Sequence, residues 1–108
     1  MSLEPVLDRD HLSRYTLGDE QLEREVLGLF IGQVPETLAA LDAAADSEGR
    51  FRAVHTLKGS ARAVGAVRLA RVAERTERVV RDGGDLAGLR EELEAAFGDV
   101  RAAILEHA

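Results

Sequence analysis

Arg50-Phe51-Arg52-Ala53-Val54-His55-Thr56-Leu57-Lys58-Gly59-Ser60-Ala61-Arg62-Ala63-Val64 forms one amphipathic helix when turned at about 100° per residue. Val54, Leu57, Ala61 and Val64 gather about 140° away from His55. They define a stripe that faces a core, and His55 lies on the outward face. Lys58 and Arg62 project from that face on the C-terminal side of the imidazole, and Arg52 lies about 60° to the other side. Gly59 stands mid-helix on the exposed face, where a glycine costs about 1 kcal/mol relative to alanine. No cap or turn explains it there; close approach of another protein does.

The same period extends in both directions. Upstream, Asp46-Ser47-Glu48-Gly49 supplies turn and capping chemistry for a helix over Arg50–Val64. Before it, Asp19 is the N-cap of a long stretch in which Leu22, Val26, Leu29, Phe30, Leu38 and Leu41 fall near one stripe. Pro35 removes one backbone donor and is expected to kink this helix rather than split it, because the stripe resumes in register at Leu38. A short helix over Asp8–Tyr15, with Leu12 as its buried contact, comes first. Downstream, Gly65 ends the quoted segment where a left-handed residue or a close helix approach is favourable. Ala66–Arg81 repeats an apolar pattern at Leu69, Val72, Ala73, Val79 and Val80. Asp82-Gly83-Gly84-Asp85 breaks it, and Asp85 caps a last helix carrying Leu86, Leu89, Leu93, Phe97, Val100 and Ile104. Nothing alternates with period two over a useful length, so the fold class is all-α.

The chain has 108 residues, enough for one compact domain spanning 1–108, and contains no cysteine, so apolar burial must stabilise it. Its net charge of −6 disfavours nucleic acid, whose binding rests on phosphate neutralisation. No apolar run is expected to approach the roughly 20 residues of a membrane span, and no charged-then-apolar signal opens the sequence. A cytoplasmic protein is expected, and a monomer, since nothing demands a dimer.

The chemistry follows from the neighbours of His55. Neutral imidazole is a competent nucleophile: one ring nitrogen can attack an acyl phosphate in line while the other keeps its proton. Lys58 and Arg62 are placed to offset the charge of a bound phosphoryl group. No P-loop, kinase glycine loop or acidic Mg²⁺ cluster accompanies them. The site is therefore half of an active site, with no autonomous kinase centre, no bound cofactor and no metal ligands of its own. Gly59, Arg52 and Ser60 are assigned to partner docking.

His55-Thr56-Leu57-Lys58-Gly59-Ser60, with Gly65 ten positions after the histidine, resembles the histidine-containing phosphotransfer (HPt) domain family of bacterial phosphorelays. The similarity extends to Phe30, Leu69, Ala70, and Glu77 ahead of Gly83-Gly84. It implies an antiparallel four-helix bundle, here with the short N-terminal helix added, and a half-exposed His55. It also implies phosphoryl exchange with receiver-domain aspartates, the receiver bringing Mg²⁺ and a histidine kinase standing upstream. By the same resemblance, Lys58 contacts the phosphoryl group and Gly59 admits the receiver. Arg62 and Thr76 depart from the family pattern, the first by replacing a small or amide residue and the second an apolar one.

Two other readings compete. The chain could be an adaptor that docks receivers or kinases without carrying phosphate, or the phosphate-accepting domain of a larger chemotaxis-type or hybrid kinase. His11 and His107 have no comparable setting and read as surface residues; no two histidines share a helical spacing suited to a metal. Arg71, Arg75 and Arg78 read as a solvated face paired with Glu74 and Glu77.

Overall fold

The computed structural model describes residues 5–106. Five helices follow one another: α1 (Arg9–Tyr15), α2 (Glu20–Ala43), α3 (Ser47–Val64), α4 (Val67–Arg81) and α5 (Ala87–Glu106). Their ends are set by acidic caps. Asp8 accepts from the His11 amide, Asp19 from those of Gln21 and Leu22, and Asp46 from that of Gly49. The Asp46 cap starts α3 at Ser47, three residues before the expected Arg50, so Ser47-Glu48-Gly49 is its first turn rather than a loop.

Side-chain contacts fix the helix directions. Asp42 near the end of α2 takes two hydrogen bonds from Arg90 near the start of α5, at 2.8 and 3.0 Å. Lys58 of α3 reaches Glu77 of α4, and Arg62, one turn later, reaches Glu74, one turn earlier. The four long helices thus run up, down, up, down, and α2 packs on α5 to close the ring, while α1 lies against α3. This is the antiparallel four-helix bundle with a short extra helix. Phe30 and Phe97 meet edge to face across α2 and α5, 6.3 Å between centroids, inside a core that includes Val34, Leu38, Val54, Leu57, Ala61, Leu69, Ala73, Leu93 and Val100.

α2 is continuous through Pro35, as expected of a helix that the proline does not split. It departs from expectation in two ways. Its buried row is Leu27, Phe30, Val34, Leu38 and Leu41; Leu22 and Leu29, expected inside, are 40% and 64% exposed. It is also long and apolar enough, by length and composition, to cross a membrane, which corrects the expectation that no run approaches that size. Its inner row is taken up by the bundle core.

At the α3–α4 turn Gly65 has φ +82°. The Ala66 amide reaches back to the Ala61 carbonyl at 2.8 Å, the closure that a left-handed residue permits. A β-carbon at Gly65 would lie 2.7 Å from the Asp8 carbonyl oxygen, because the Asp8 amide donates to the Gly65 carbonyl at 2.8 Å. Both expected reasons for a glycine apply at once.

Candidate functional site

The site lies where α3 and α4 face each other at mid-length. Val54, Leu57, Ala61 and Val64 are all buried, which turns the opposite side of α3 outward. The His55 side chain is 61% exposed, and no atom lies within 4 Å of a β-carbon built at Gly59. One turn beyond the histidine the backbone is open to solvent.

Glu77 organises what surrounds the imidazole. It lies on the buried face of α4 with Ala73, Thr76 and Val80, and is 6% exposed. Its Oε2 is 2.9 Å from His55 Nδ1, its Oε1 accepts from Lys58 Nζ at 2.9 Å, and Arg81 stands 3.6 Å from the same Oε1. Burial raises the Glu77 pKa. The hydrogen bonds from His55 and Lys58, with the lysine charge, outweigh that and hold it below its ordinary value, so Glu77 is a carboxylate at neutral pH. A carboxylate can only accept. In the neutral imidazole His55 Nδ1 therefore carries the proton, and Nε2 has its lone pair free for solvent or an incoming electrophile. Phe51, one turn before His55, stacks on the imidazole with 5.6 Å between centroids and 13° between planes. The Arg81 guanidinium lies 5.5 Å over the Phe51 ring.

The other expected site residues are distributed differently. Lys58 is only 15% exposed and is bound to Glu77; it is also the one lysine of the chain. Arg62 does not join the group: it pairs with Glu74 at 3.4 Å, two turns along α3, or about 10 Å, from His55. Arg52 is exposed and pairs loosely with Glu48 at 3.9 Å. Ser60 is half-buried in a groove of about 200 Å³ that Tyr15, Val26, Leu29 and Ala63 also line. His11 is not a free surface residue, because its Nε2 donates to the Ala63 carbonyl at 3.2 Å. His107 lies outside the described residues. Of the expected arginine face, Arg75 crosses to Glu92 of α5 at 2.9 Å, while Glu77 turns inward to His55 and Lys58 of α3 and pairs along its own helix with Arg81. Thr76 is buried and donates to the Val72 carbonyl at 2.7 Å, so a polar residue fits a position where the resemblance implied an apolar one. Among the described residues no cluster of three or more potential metal ligands occurs.

The model of the Hpt domain matches residues 25–107. The chain belongs to the Hpt domain family. A solved structure, histidine-containing phosphotransfer protein B (HptB) from Pseudomonas aeruginosa PAO1, superposes with a TM-score of 0.85 at 28% identity, covering 95% of this chain and 94% of that one. No curated protein sequence matches. Within this Hpt fold the residues missed by sequence reasoning are Phe51, Arg81 and the part Glu77 plays beside the histidine. Glu77 did leave a trace: a carboxylate spaced with Ala70, Ala73 and Val80 sits on an apolar face and requires partners from a neighbouring helix.

Proposed function

We propose that this Hpt-domain protein carries its phosphoryl group on Nε2 of His55, relaying it between receiver-domain aspartates downstream of a histidine kinase. The observation that carries this reading is the Nδ1–Glu77 contact of 2.9 Å, which in the neutral ring puts the proton on Nδ1 and the free lone pair on the exposed Nε2. In the transfer, the Nε2 lone pair attacks phosphorus of an aspartyl phosphate, a bond forms from nitrogen to phosphorus, and the bond to the aspartate oxygen breaks. The aspartate leaves as a carboxylate with the electron pair. The ring gains positive charge while Nδ1 keeps its proton, and the Glu77 carboxylate beside it stabilises that charge as it develops. No proton has to move.

Lys58 shares the Glu77 carboxylate with His55 and serves the phosphoryl oxygens by turning from Glu77. Arg62, held at Glu74, is dropped from this role. The donor's Mg²⁺ comes with the receiver, since the Glu77 carboxylate beside His55 is already occupied by His55, Lys58 and Arg81. Docking uses the bare backbone at Gly59 and the adjoining groove of Ser60, Ala63, Val26, Leu29 and Tyr15, whose exposed apolar atoms offer a seat to the receiver. Action in the cytoplasm, where receivers reside, belongs to the same proposal.

Incubation with a phosphorylated receiver and Mg²⁺ tests it. An acid-labile, base-stable label on the wild type, absent from His55→Gln, is expected. Equal labelling of the two proteins, or none on the wild type, refutes the assignment.

A further inference from the structure

Four side chains around the imidazole close a loop of contacts. Phe51 and His55 are one turn apart on α3, and Glu77 and Arg81 are one turn apart on α4. His55 bonds to Glu77 at 2.9 Å, Glu77 pairs with Arg81 at 3.6 Å, Arg81 covers the Phe51 ring at 5.5 Å, and Phe51 stacks on His55 at 5.6 Å. Each leg joins two residues that the other legs already hold near each other.

The need for such a loop is geometric. A single hydrogen bond pins one atom of the imidazole and leaves the ring free to swing about that point. In-line attack requires the Nε2 lone pair, which lies in the ring plane, to aim at phosphorus, and small misalignments are costly in rate. A parallel aromatic neighbour restricts the plane as the carboxylate restricts the edge, and together they define the ring's orientation. A phenylalanine on a partly exposed helix face is itself free to rotate away; the guanidinium over it limits that motion. Arg81 can do so because its charge is drawn to Glu77 and its planar face suits an aromatic ring.

We infer that Phe51 and Arg81 are positioning residues of the phosphotransfer site, holding the plane of the His55 ring through this closed loop of contacts. The inference rests on His55 as the phosphoryl acceptor, and neither residue touches the transferred group. Phe51 also packs against the core, so a loss of activity in a truncated variant would not by itself identify the role. The informative variants are Phe51→Leu, which keeps apolar bulk, and Arg81→Gln and Arg81→Lys at a side chain that is 63% exposed.

Two measurements are needed on each. Ring ¹⁵N signals of His55 report which nitrogen carries the proton, with no phosphate present. Single-turnover transfer from a phosphorylated receiver, at rising receiver concentration, separates the maximal rate from docking. Phe51→Leu and Arg81→Gln should populate both tautomers and lower the maximal rate roughly three- to tenfold, the factor one aromatic contact converts to. Half-saturation should stay unchanged. Arg81→Lys should fall between, keeping the charge towards Glu77 and losing the flat contact. Unchanged ring signals in Phe51→Leu and Arg81→Gln, or a rate loss confined to half-saturation, overturn the inference. If Phe51→Leu does not fold, the exposed Arg81 pair decides alone. A wild type unlabelled at His55 would defeat the functional reading, whereas the ring signals judge the orientation separately.

Discussion

At the scale of the residue, Glu77 does the most with one side chain. Its carboxylate sets the tautomer of His55, anchors Lys58 and draws in Arg81. A buried carboxylate with one partner would be left uncompensated if that partner turned away, at a cost of several kcal/mol. With three donors, Lys58 can leave for a phosphoryl group while His55 and Arg81 still face the oxygens it vacates. The lowered pKa has a direct consequence for stability. A group whose folded pKa lies below its unfolded one stabilises the fold above the unfolded value and loses that contribution as pH falls through the folded value. Glu77→Gln should therefore melt lower than wild type at neutral pH, by about 1–3 kcal/mol, and the gap should close as the solution is acidified below 4.5, the ordinary glutamate value. Thermal melts of both proteins from about pH 7 to pH 3 check it; a gap that widens in acid contradicts the sign. Gly59 behaves oppositely. With open space around its position, Gly59→Leu should raise helix stability by up to about 1 kcal/mol yet slow transfer at least about tenfold by holding the receiver away. Melting and transfer measured on one preparation separate the two effects.

At the scale of the element, α3 was legible and α2 was not, for a definable reason. In α3 the apolar residues Val54, Leu57, Ala61 and Val64 form one row and, Phe51 apart, the remaining residues are polar, charged or small, so the wheel has a single solution. α2 carries two rows of helical spacing, Leu22-Val26-Leu29 and Leu27-Phe30-Val34-Leu38-Leu41, and periodicity cannot say which one the bundle covers. Val26 and Leu29 of the first row instead border the groove that Ser60 lines. The place of Arg62 failed differently: the wheel gave its angle, but reach is limited along the axis, and Glu74 stands across from it. The link between His55 and Glu77 depends on how far α3 and α4 slide past each other, which a pattern within one helix does not encode. The turn at Gly65 sets that slide. Gly65→Ala would force a side chain into a left-handed backbone against the Asp8 carbonyl. The left-handed conformation alone costs about 1–2 kcal/mol, so the melting temperature should fall by at least several degrees; an unchanged melt would show that the turn relaxes freely.

At the scale of the whole molecule, charge is divided rather than mixed. Residues 47–81, the α3–α4 hairpin, hold nine of the 14 basic residues and three of the 20 acidic ones, a net +6 in a chain of −6. The proposed phosphoryl site thus belongs to a basic hairpin in an acidic protein, which favours encounter with the acidic, phosphorylated pocket of a receiver. Raising salt from about 50 to 500 mM should slow transfer several-fold when receiver is scarce and little when it saturates; an equal effect in both regimes would place the charges in the chemical step. The groove that Ser60 lines has a different origin. Tyr15 enters it from α1, and α1 is tied to the hairpin by the Asp8–Gly65 and His11–Ala63 hydrogen bonds. The quartet of Phe51, His55, Glu77 and Arg81 draws nothing from that helix. Part of the surface that meets a partner is therefore supplied from outside the α3–α4 hairpin, and exchanging the first short helix should shift which receiver is preferred while the relay chemistry carries on as before.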